Sequence, residues 1–445
     1  MDDKEIDLII GLNGRIIIKR TIEGIWNENS LATGFSFSTL IPTEAISGKM
    51  HDGNNLKVTA HRNQNTYDII FPKPLYPHQK YSIELNIVPK ESFVEKLGSL
   101  KIIEWPKELL SKIVFLNNAD KIFFSSALAQ ITTDENNKHR IIVPDPFMQK
   151  MQSPTRDSKT VRIEWGEQPN IKLRFTYTIS NTGPSAARDV IILTRLPPST
   201  KFQDTSVQTK LQSQKLVDDD QNEIFGFGVP LVEPGSTKDL FFTADIKPKG
   251  NKVLLTPSFG NDQEYRSLII PNKYGSEIIK PSKYWNFQEP NVQALIKQLK
   301  AKSASKSDLI KAVFEFVNTN MHYYVNNMRD NAANALKTLS GDCSEYADLT
   351  IALLRAAKIP AKLIIGWVIH LKDWSLGPHG WVEFFSPKHG WIQCDPTWGY
   401  LVGVSCQHVC RQREGLIHDQ PNYQYKFHGN TNINVDEKVV VESII

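Results

Sequence analysis

Apolar and polar residues alternate over short runs in the first part of the chain. Residues 8–19, LIIGLNGRIIIK, contain two apolar runs joined at Asn13-Gly14, a dipeptide that tolerates the positive φ angles of a tight hairpin. The strand-length runs NLKVTA, TYDIIF and YSIELNIV follow, separated by turn-forming clusters such as PKPLYPHQ. This pattern predicts a β-sandwich module over residues 1–95.

The spacing of apolar residues becomes helical near Trp105. In WPKELLSKIVFL, residues 105–116, the apolar positions recur at helical intervals, and Pro106 suits the first turn of a helix. We therefore predict a mixed, partly helical connector over residues 96–157.

A second series of strand-length runs begins near Lys159. TVRIEW, IKLRFTYTISNTG, ARDVIILTRLPPS and TKDLFFTADIKP recur with Gly, Pro, Asn and Ser between them, which is typical of a sandwich. We predict an immunoglobulin-like β-sandwich over residues 158–275. The acidic run DDDQNE at 218–223 has Glu223 where a calcium loop needs glycine, so it is interpreted as a hairpin turn.

The final part of the chain combines helical periods with strands. The run NAANALKTLS has helical spacing with Asn331 as its N-cap. From Cys343, positions 343, 346, 347, 350, 351 and 354 form one face of a further helix, which Pro360 ends. We predict an α+β domain over residues 280–445.

Composition limits the possible partners. The chain has 445 residues, of which 40% are hydrophobic, and Lys+Arg 52 against Asp+Glu 48 gives 52 − 48 = +4. This length favours several domains. The mild charge, without a run of one sign, predicts no nucleic-acid partner and no anionic membrane partner.

Neither a membrane span nor an export signal is predicted. The most apolar stretch, residues 349–371, contains Arg355, Lys358 and Lys362, which excludes a spanning helix there. The first residues are acidic and a polar turn splits their apolar run, so we expect a cytoplasmic protein. A periplasmic or secreted protein, with its signal upstream of this sequence, is the alternative.

All four cysteines lie in the last quarter of the chain, at Cys343, Cys394, Cys406 and Cys410. No disulfide framework therefore covers the chain, which fits a reducing compartment. Cys343 stands directly at a predicted helix start, where unpaired N–H groups and the positive helix end favour a thiolate over a thiol. A small buried side chain is the alternative for this cysteine.

Two downstream residues complete a possible site for nucleophilic catalysis. HGWVEFF and GWIQCDPTWG predict two strands joined around SPKHG. If that turn has an odd number of residues, His379 and Asp395 share one sheet face within about one pleat. Each residue alone is more often structural. Together with Cys343 they are the nucleophile, the proton carrier and the orienting carboxylate of acyl transfer through a thioester.

The segments GDCSEYADLTIALLRAAKIPAKLIIGW, HGWVEFF and GWIQCDPTWG resemble the transglutaminase-like superfamily. The resemblance covers about residues 285 to 405, and it implies a papain-like cysteine domain in which a Cys-bearing helix packs on an antiparallel sheet. It implies Cys343 as nucleophile, His379 as general base and acid, and Asp395 as its orienter. Members usually carry Ala where this chain has Gly380. The Cys343 backbone N–H is the expected oxyanion donor, and a side-chain donor is not assigned.

Aromatic residues cluster around the predicted site. Trp381, Trp398 and Tyr400 are candidates for binding substrate, with ordinary sheet core as the alternative. Cys394 precedes Asp395 on the same strand, so its side chain is expected on the opposite face, in the core. CQHVC, residues 406–410, lacks a second ligand pair at finger-like spacing, so we predict no metal and no cofactor.

The predicted function is cysteine-dependent acyl transfer on amide bonds of a protein or peptide substrate. Water as acceptor would make the enzyme a protease or deamidase, and a lysine amine would make it a transglutaminase. The sequence leaves this choice open. The alternative from another class is a catalytically silent binding or scaffold protein that uses its β-sandwich modules.

Overall fold

The structure is a computed structural model. It describes the whole chain except residues 1, 11–15, 28, 40–41, 62–64, 91–93, 107–111, 116–121, 126–129, 134–138, 143–159, 212, 250–257, 267–276, 326–327 and 417–418.

The N-terminal region is built from strands. They are β1 (Asp2–Ile10), β2 (Ile16–Ile25), β3 (Ala32–Ser38), β4 (Thr43–Met50), β5 (Lys57–Ala60), β6 (Thr66–Leu75), β7 (Lys80–Pro89), β8 (Glu95–Leu97), β9 (Leu100–Pro106), β10 (Lys112–Phe115), β11 (Ile122–Ser125), β12 (Gln130–Thr133), β13 (His139–Ile142) and β14 (Thr160–Gly166).

These strands form three sheets around one apolar core. Their orders are β12-β13-β10-β1-β2-β7-β4, β3-β6-β5 and β11-β14-β9-β8. Leu8, Ile69 and Ile163, one from each sheet, are fully buried in the shared core. β1 and β2 pair antiparallel, which confirms the first predicted strand pair, while its turn at 13–14 lies outside the described residues.

The helical prediction for residues 105–116 is wrong for the residues that the structure describes there, because they belong to β9 and β10. β10 pairs in parallel with β1, and β9 pairs antiparallel with β14. The run IVF fits a strand as well as a helix because β-branched and aromatic side chains favour pleated surfaces. Pairing with strands that are distant in sequence decides between strand and helix. Residues 107–111 lie outside the residues that the structure describes.

The sheet that contains β9 and β14 lies between two cores. Ile103 and Ile163 face the first core, whereas Ile102 faces a second one. Successive side chains of a strand point to opposite faces. Arg162 and Glu164 of β14 therefore point away from the first core, toward the C-terminal part of the chain.

The second β module contains two four-stranded sheets. Its strands are β15 (Ile171–Asn181), β16 (Ala187–Leu196), β17 (Gln203–Gln208), β18 (Ser213–Val217), β19 (Glu223–Val232), β20 (Thr237–Pro248), and, from the end of the chain, β27 (Tyr423–His428) and β28 (Ile433–Ile444). The orders are β17-β20-β15-β28 and β18-β19-β16-β27. Stacked Phe175 and Phe242 rings, 4.9 Å apart, lie in the shared core. The Asn222 N–H donates to Asp218 Oδ1 at 2.8 Å, so DDDQNE forms the turn between β18 and β19.

The C-terminal strands differ from the predicted domain limits. β27 pairs with β16 and β28 with β15, so residues 423–444 belong to sheets of the second β module rather than to a separate domain over 280–445. Their short alternating runs carry no information about which distant edge they join.

The remaining elements form an α+β unit. Its helices are α1 (Asp262–Arg266), α2 (Pro290–Lys302), α3 (Lys306–Asn320), α4 (Ala332–Thr338) and α5 (Cys343–Ala356), with a 3₁₀ turn at Glu277–Ile279. Its strands are β21 (His322–Tyr323), β22 (Ser340–Gly341), β23 (Ala361–Ile369), β24 (Leu376–Ser386), β25 (Gly390–Cys394) and β26 (His408–Glu414). The predicted N-cap is confirmed, because the Asn331 side chain accepts the Asn334 N–H.

One four-stranded sheet, β25-β24-β23-β26, carries the site. Leu349 and Leu353 of α5 pack with Val382 of β24 in one core. On the other face, Trp367 and Val409 belong to the core of the second β module. The sheet is therefore held between the helix and that module. Among the described residues no helix is long and apolar enough to cross a membrane.

Candidate active site

Cys343 is the first residue of α5, as predicted, and a reciprocal cap holds the helix start. The Ser344 N–H donates to Asp342 Oδ1 at 2.8 Å, and the Asp342 N–H donates to Glu345 Oε2 at 2.8 Å. Neither bond uses the Cys343 N–H, which remains directed out of the helix end. Glu345 also accepts the Asp330 N–H at 2.8 Å, so the cap joins the helix start to the preceding loop.

His379 and Asp395 meet through the pairing of two strands. β24 and β25 pair with Val382 opposite Cys394 and Ser386 opposite Gly390, which leaves a three-residue turn, an odd number. The two side chains share a face, and His379 Nε2 lies 2.7 Å from Asp395 Oδ2. The geometric prediction for this pair is confirmed.

The charges of the pair reinforce each other. Burial alone would lower the pKa of His379, but the Asp395 carboxylate and its hydrogen bond, together with the Cys343 side chain, raise it to about 10. Burial opposes the charge of Asp395, yet the His379 charge and the bonds from both histidines hold the pKa of Asp395 well below its usual range. The Cys343 side chain is one cause of the raised His379 pKa, so it lies near enough to the ring to act on it.

Asp395 is held by four donors. Its Oδ1 accepts the N–H groups of Thr397 at 2.9 Å and Trp398 at 3.1 Å. Its Oδ2 accepts His379 and, at 3.0 Å, Nε2 of His408. The carboxylate is fully buried, so these bonds replace the water that it loses on folding.

A known family matches the part of the chain that carries these residues. Residues 293–396 match the family model described as the transglutaminase-like superfamily, and this range includes Cys343, His379 and Asp395. Residues 293–396 are a transglutaminase-like core.

Curated relatives match part of the chain. One is the protein-glutamine gamma-glutamyltransferase of Pseudomonas aeruginosa, 28% identical over 157 residues, which are 30% of this chain and 23% of that protein. Another is the uncharacterized protein YebA of Bacillus subtilis, 28% identical over 113 residues, which are 21% of this chain and 15% of that protein. The chain thus spans less than a quarter of the length of either relative.

Solved structures with a similar arrangement include a candidate cysteine protease from Cytophaga hutchinsonii. It is 17% identical, with a TM-score of 0.42 over 62% of this chain and 92% of that one. The periplasmic domain of TgpA from Pseudomonas aeruginosa is 16% identical, with a TM-score of 0.29 over 68% of this chain and 88% of that one.

His408, which lies beyond the matched residues 293–396, is a site residue that sequence reasoning missed. From the sequence it is recognisable only as part of CQHVC, a candidate metal site. Its side chain is fully buried, and its ring lies 5.5 Å from that of His379. Strand parity could not have found it, because β26 joins the sheet beside β23 and not beside the strands that carry His379 and Asp395.

The aromatic candidates surround the two histidines. Trp381 and Tyr400 are buried, at 1% and 3% exposure. The prediction that they bind substrate in an open groove is therefore wrong, and both belong to the core. Trp381 stacks on His379 with ring centroids 6.0 Å apart, and Tyr400 lies 6.2 Å from the His408 ring. Trp398 is partly exposed and lies 5.7 Å from His379. Of the three, only Trp398 reaches both the site and the surface.

Tyr323 is a further neighbour of the nucleophile. Burial and the negative charges of Cys343, Asp342 and Asp395 raise the pKa of Tyr323 to about 12. It is nevertheless 50% exposed. β21, which carries it, pairs with β22, Ser340–Gly341, which ends two residues before the cysteine. A search limited to the three motifs could not find it, since it lies on a two-residue strand outside them.

The other cysteines are buried and free. Burial raises the pKa of Cys394 and of Cys406 well above the usual value, and raises that of Cys410 to about 12. Cys394 lies in the α5-side core, as expected from the opposite face of its strand.

The structure groups three residues that a metal ion could use, and His408 is the member of CQHVC among them. The possible ligand atoms of His379, Asp395 and His408 lie within 4.8 Å of one another. Direct hydrogen bonds of 2.7 and 3.0 Å already join them, and these are shorter than a metal bridging two ligands would allow. The absence of a metal stays a prediction.

Proposed function

We propose that this protein is a cysteine enzyme that transfers acyl groups from amide bonds of proteins or peptides through a thioester on Cys343. One observation carries the proposal: the ring of the buried His379 lies 2.7 Å from the Asp395 carboxylate, and the Cys343 side chain acts on the same ring. This arrangement supplies a nucleophile, a proton carrier and an orienting charge in one place. The match to the transglutaminase-like superfamily supports the same class of chemistry.

The two nitrogens of His379 have different tasks in this mechanism. Nε2 donates to Asp395, so Nδ1 is the nitrogen that exchanges a proton with Cys343. The thiolate attacks the amide carbonyl carbon, and a C–S bond forms while the carbonyl oxygen takes up negative charge. The Cys343 N–H, at the positive end of α5, is placed to stabilise that oxygen.

Collapse of this adduct breaks the C–N bond. The imidazolium of His379 gives its Nδ1 proton to the leaving nitrogen, and the acyl group remains on sulfur as a thioester. Asp395 does not react, because it holds the imidazole in one tautomer and stabilises its charged form. A second nucleophile then gives its proton to Nδ1, attacks the thioester and releases the cysteine.

An exposed apolar segment next to the nucleophile supports a protein or peptide as substrate. Tyr324, Val325 and Met328 are 65%, 66% and 84% exposed. The Tyr324 N–H donates to the Gly341 carbonyl at 2.9 Å, which places the start of this segment two residues from Cys343. Apolar side chains of a substrate would find contacts here that a small polar amide would not use.

A peptide library incubated with the full chain tests the proposal. We expect products that depend on Cys343 and disappear in Cys343→Ala. Parallel reactions with and without a primary amine distinguish the acceptors: incorporation of the amine identifies a transglutaminase, and hydrolysis in its presence identifies a protease or deamidase. Absence of any Cys343-dependent product, together with a Cys343 that iodoacetamide does not label selectively, would support the silent scaffold instead.

The immunoglobulin-like character of the second β module and the cytoplasmic location stay predictions. Free cysteines at all four positions support a reducing compartment. Fractionation of the native host tests the location, and recovery of the protein from a periplasmic or secreted fraction would contradict it.

A further inference from the structure

Two histidines share one oxygen of the buried carboxylate. His379 Nε2 and His408 Nε2 lie 2.7 and 3.0 Å from Asp395 Oδ2. The rings stand at 66° to each other, in an edge-to-face arrangement. His408 comes from β26, on the far side of β23 from His379, so only the folded sheet brings the second donor to the carboxylate.

The hydrogen bonds define the protonation state of His408. Burial lowers the pKa of His408 despite its hydrogen bond to Asp395, so the ring is neutral and carries one proton. A carboxylate only accepts, and therefore this proton lies on Nε2. Nδ1 is buried and has no hydrogen-bond partner among the described residues, as expected for the nitrogen that lacks the proton.

The segment before His408 is fixed by the N-terminal region. The buried Glu164 carboxylate accepts the Cys406 N–H at 2.8 Å and the Ser405 hydroxyl. Arg162, which pairs with Glu164 at 2.7 Å, also donates to the Gln407 side chain. The His408 N–H donates to the Ser405 carbonyl at 3.0 Å. A buried ion pair of β14 thus holds the residues that lead into His408.

We propose that His408 is a positioning residue, whose Nε2–H holds Asp395 Oδ2 and takes up part of the negative charge that would otherwise act on His379. This inference rests on the proposed function, in which Asp395 orients His379. Since Oδ1 is already held by two backbone N–H groups, the bond from His408 is what divides the charge of Oδ2 between two partners. A weaker pull on the imidazolium lets His379 release its proton to the leaving nitrogen more readily.

Ionisable groups on neighbouring elements also act on His379, Asp395 and His408. The groups that act on His379, Asp395 or His408 from the packed elements are Cys343 on α5, Tyr323 on β21, and Glu164 on β14. Each variant below leaves Tyr323 and Glu164 unchanged.

Titration of His379 by NMR measures the charge that Asp395 exerts on it. The full chain carries ¹³C-labelled histidine and the substitution Cys343→Ala, which removes the thiolate contribution from His379. His408→Leu is then compared with His408→Gln, whose amide nitrogen reaches the position of Nε2. We expect His408→Leu to raise the His379 pKa by about one unit, and His408→Gln to return it to the value of the parent. Circular dichroism checks the fold of each variant.

Three results would overturn the proposal. One is a His379 pKa that is unchanged or lower in His408→Leu. Another is a His379 pKa that rises as much in His408→Gln as in His408→Leu, because the hydrogen bond from residue 408 would then not be what lowers the His379 pKa. If His408→Leu does not fold, His408→Asn replaces it, because the shorter side chain brings its amide only to the position of Nδ1 and not to that of Nε2. The third result is then a His379 pKa in His408→Asn that equals the His379 pKa in His408→Gln.

Failure of the proposed function gives a different result. In the chain with Cys343 intact, iodoacetamide labels Cys343 at a rate that depends on the thiolate. An equal rate in His379→Ala and in the unsubstituted protein would contradict a thiolate–imidazole pair of Cys343 and His379. The NMR titration would still report whether His408 and His379 share Asp395.

Discussion

The Glu164 carboxylate accepts the backbone N–H of Cys406 at 2.8 Å, although 242 residues separate the two along the chain. Glu164 belongs to the N-terminal β-rich region, and Cys406 lies two residues before His408 in the site. The contact is buried and is accompanied by the ion pair with Arg162. The N-terminal region therefore takes part in supporting the site.

Glu164→Gln should weaken both the fold and the site. It removes one of the two carboxylates that pair with the buried Arg162 and leaves Glu104 as the other, so it should cost up to about 3 kcal/mol in the free energy of unfolding. Urea denaturation measures this cost. Labelling of Cys343 by iodoacetamide under native conditions should also become slower.

Glu233→Gln is a matched control on an exposed turn of the second β module, and it should change neither quantity. Equal stability of Glu164→Gln and the unsubstituted protein would show that the 405–408 segment does not depend on this ion pair.

The cysteines should separate by role. Cys343→Ala should abolish turnover because the thioester cannot form, and Cys343→Ser should nearly do so. Cys394→Ala, a truncation in the core, should keep the rate per folded molecule and reduce stability by about 1 kcal/mol. Steady-state kinetics on a substrate from the library, with thermal denaturation, measure both effects. Residual turnover by Cys343→Ala would contradict the mechanism.

Asp395→Asn should reduce kcat by orders of magnitude with a small change in KM, because the carboxylate acts on the charged imidazole and not on substrate. Circular dichroism should show a folded protein. Full activity of this variant on a substrate that Cys343→Ala cannot convert would leave a Cys-His dyad with another orienting group.

Two glycines beside the site should respond differently to alanine. A Cβ at Gly380 would meet Leu363 Cδ1 at 3.5 Å, an ordinary contact, whereas a Cβ at Gly341 would meet Glu345 Cβ at 2.4 Å. We expect Gly380→Ala to be tolerated, with stability unchanged or raised by up to about 1 kcal/mol through the unfolded chain. Gly341→Ala should disturb the capping box and lower both stability and Cys343 reactivity. Urea denaturation and iodoacetamide labelling of Cys343 in the two variants measure this difference. Equal stability and equal labelling of Gly380→Ala and Gly341→Ala would contradict the prediction.

The His379–Asp395 pair should make stability depend on pH in a defined window. The folded pKa of His379, about 10, exceeds its unfolded value of about 6.5. Its contribution is therefore fully present below about pH 6.5 and is lost as the pH rises through about 10. The pKa of Asp395 is lowered instead, so its contribution is present above about pH 4 and is lost as the pH falls further.

Urea unfolding of the unsubstituted protein and of His379→Gln from pH 5 to about 10 tests this window. The difference in unfolding free energy should be largest at the acidic end and should shrink progressively above about pH 6.5. In an Asp395→Asn background the same comparison should depend much less on pH. A difference that stays constant across the range would contradict the assigned pair.

A fragment limited to the predicted domain of residues 280–445 should not fold stably. In the full chain β27 and β28 pair with β16 and β15, and the fragment lacks both partners together with Glu164. Unpaired strands favour association between chains. Size-exclusion chromatography should show aggregation of the fragment and a single species for the full chain, and a monodisperse, cooperatively unfolding fragment would contradict this.

Local sequence determined much of the site. The helix that begins at Cys343 follows from apolar spacing and from Pro360 after its end, and Asn331 is recognisable as a cap from its neighbours alone. The meeting of His379 and Asp395 follows from strand parity across a short turn. Each of these relationships involves residues close in the chain, where backbone periodicity and turn length limit the possible geometries.

Only the tertiary structure decided what lies around that site. WPKELLSKIVFL has helical spacing, but pairing of β9 with β14 and of β10 with β1 makes its described residues strands. Trp381 and Tyr400 are buried because neighbouring elements cover them. His408 reaches Asp395, and Glu164 reaches Cys406, through sheet neighbours that are distant in sequence. An alternating run specifies which side chains share a face but not which edge the strand will join, because backbone hydrogen bonds are the same for every possible partner.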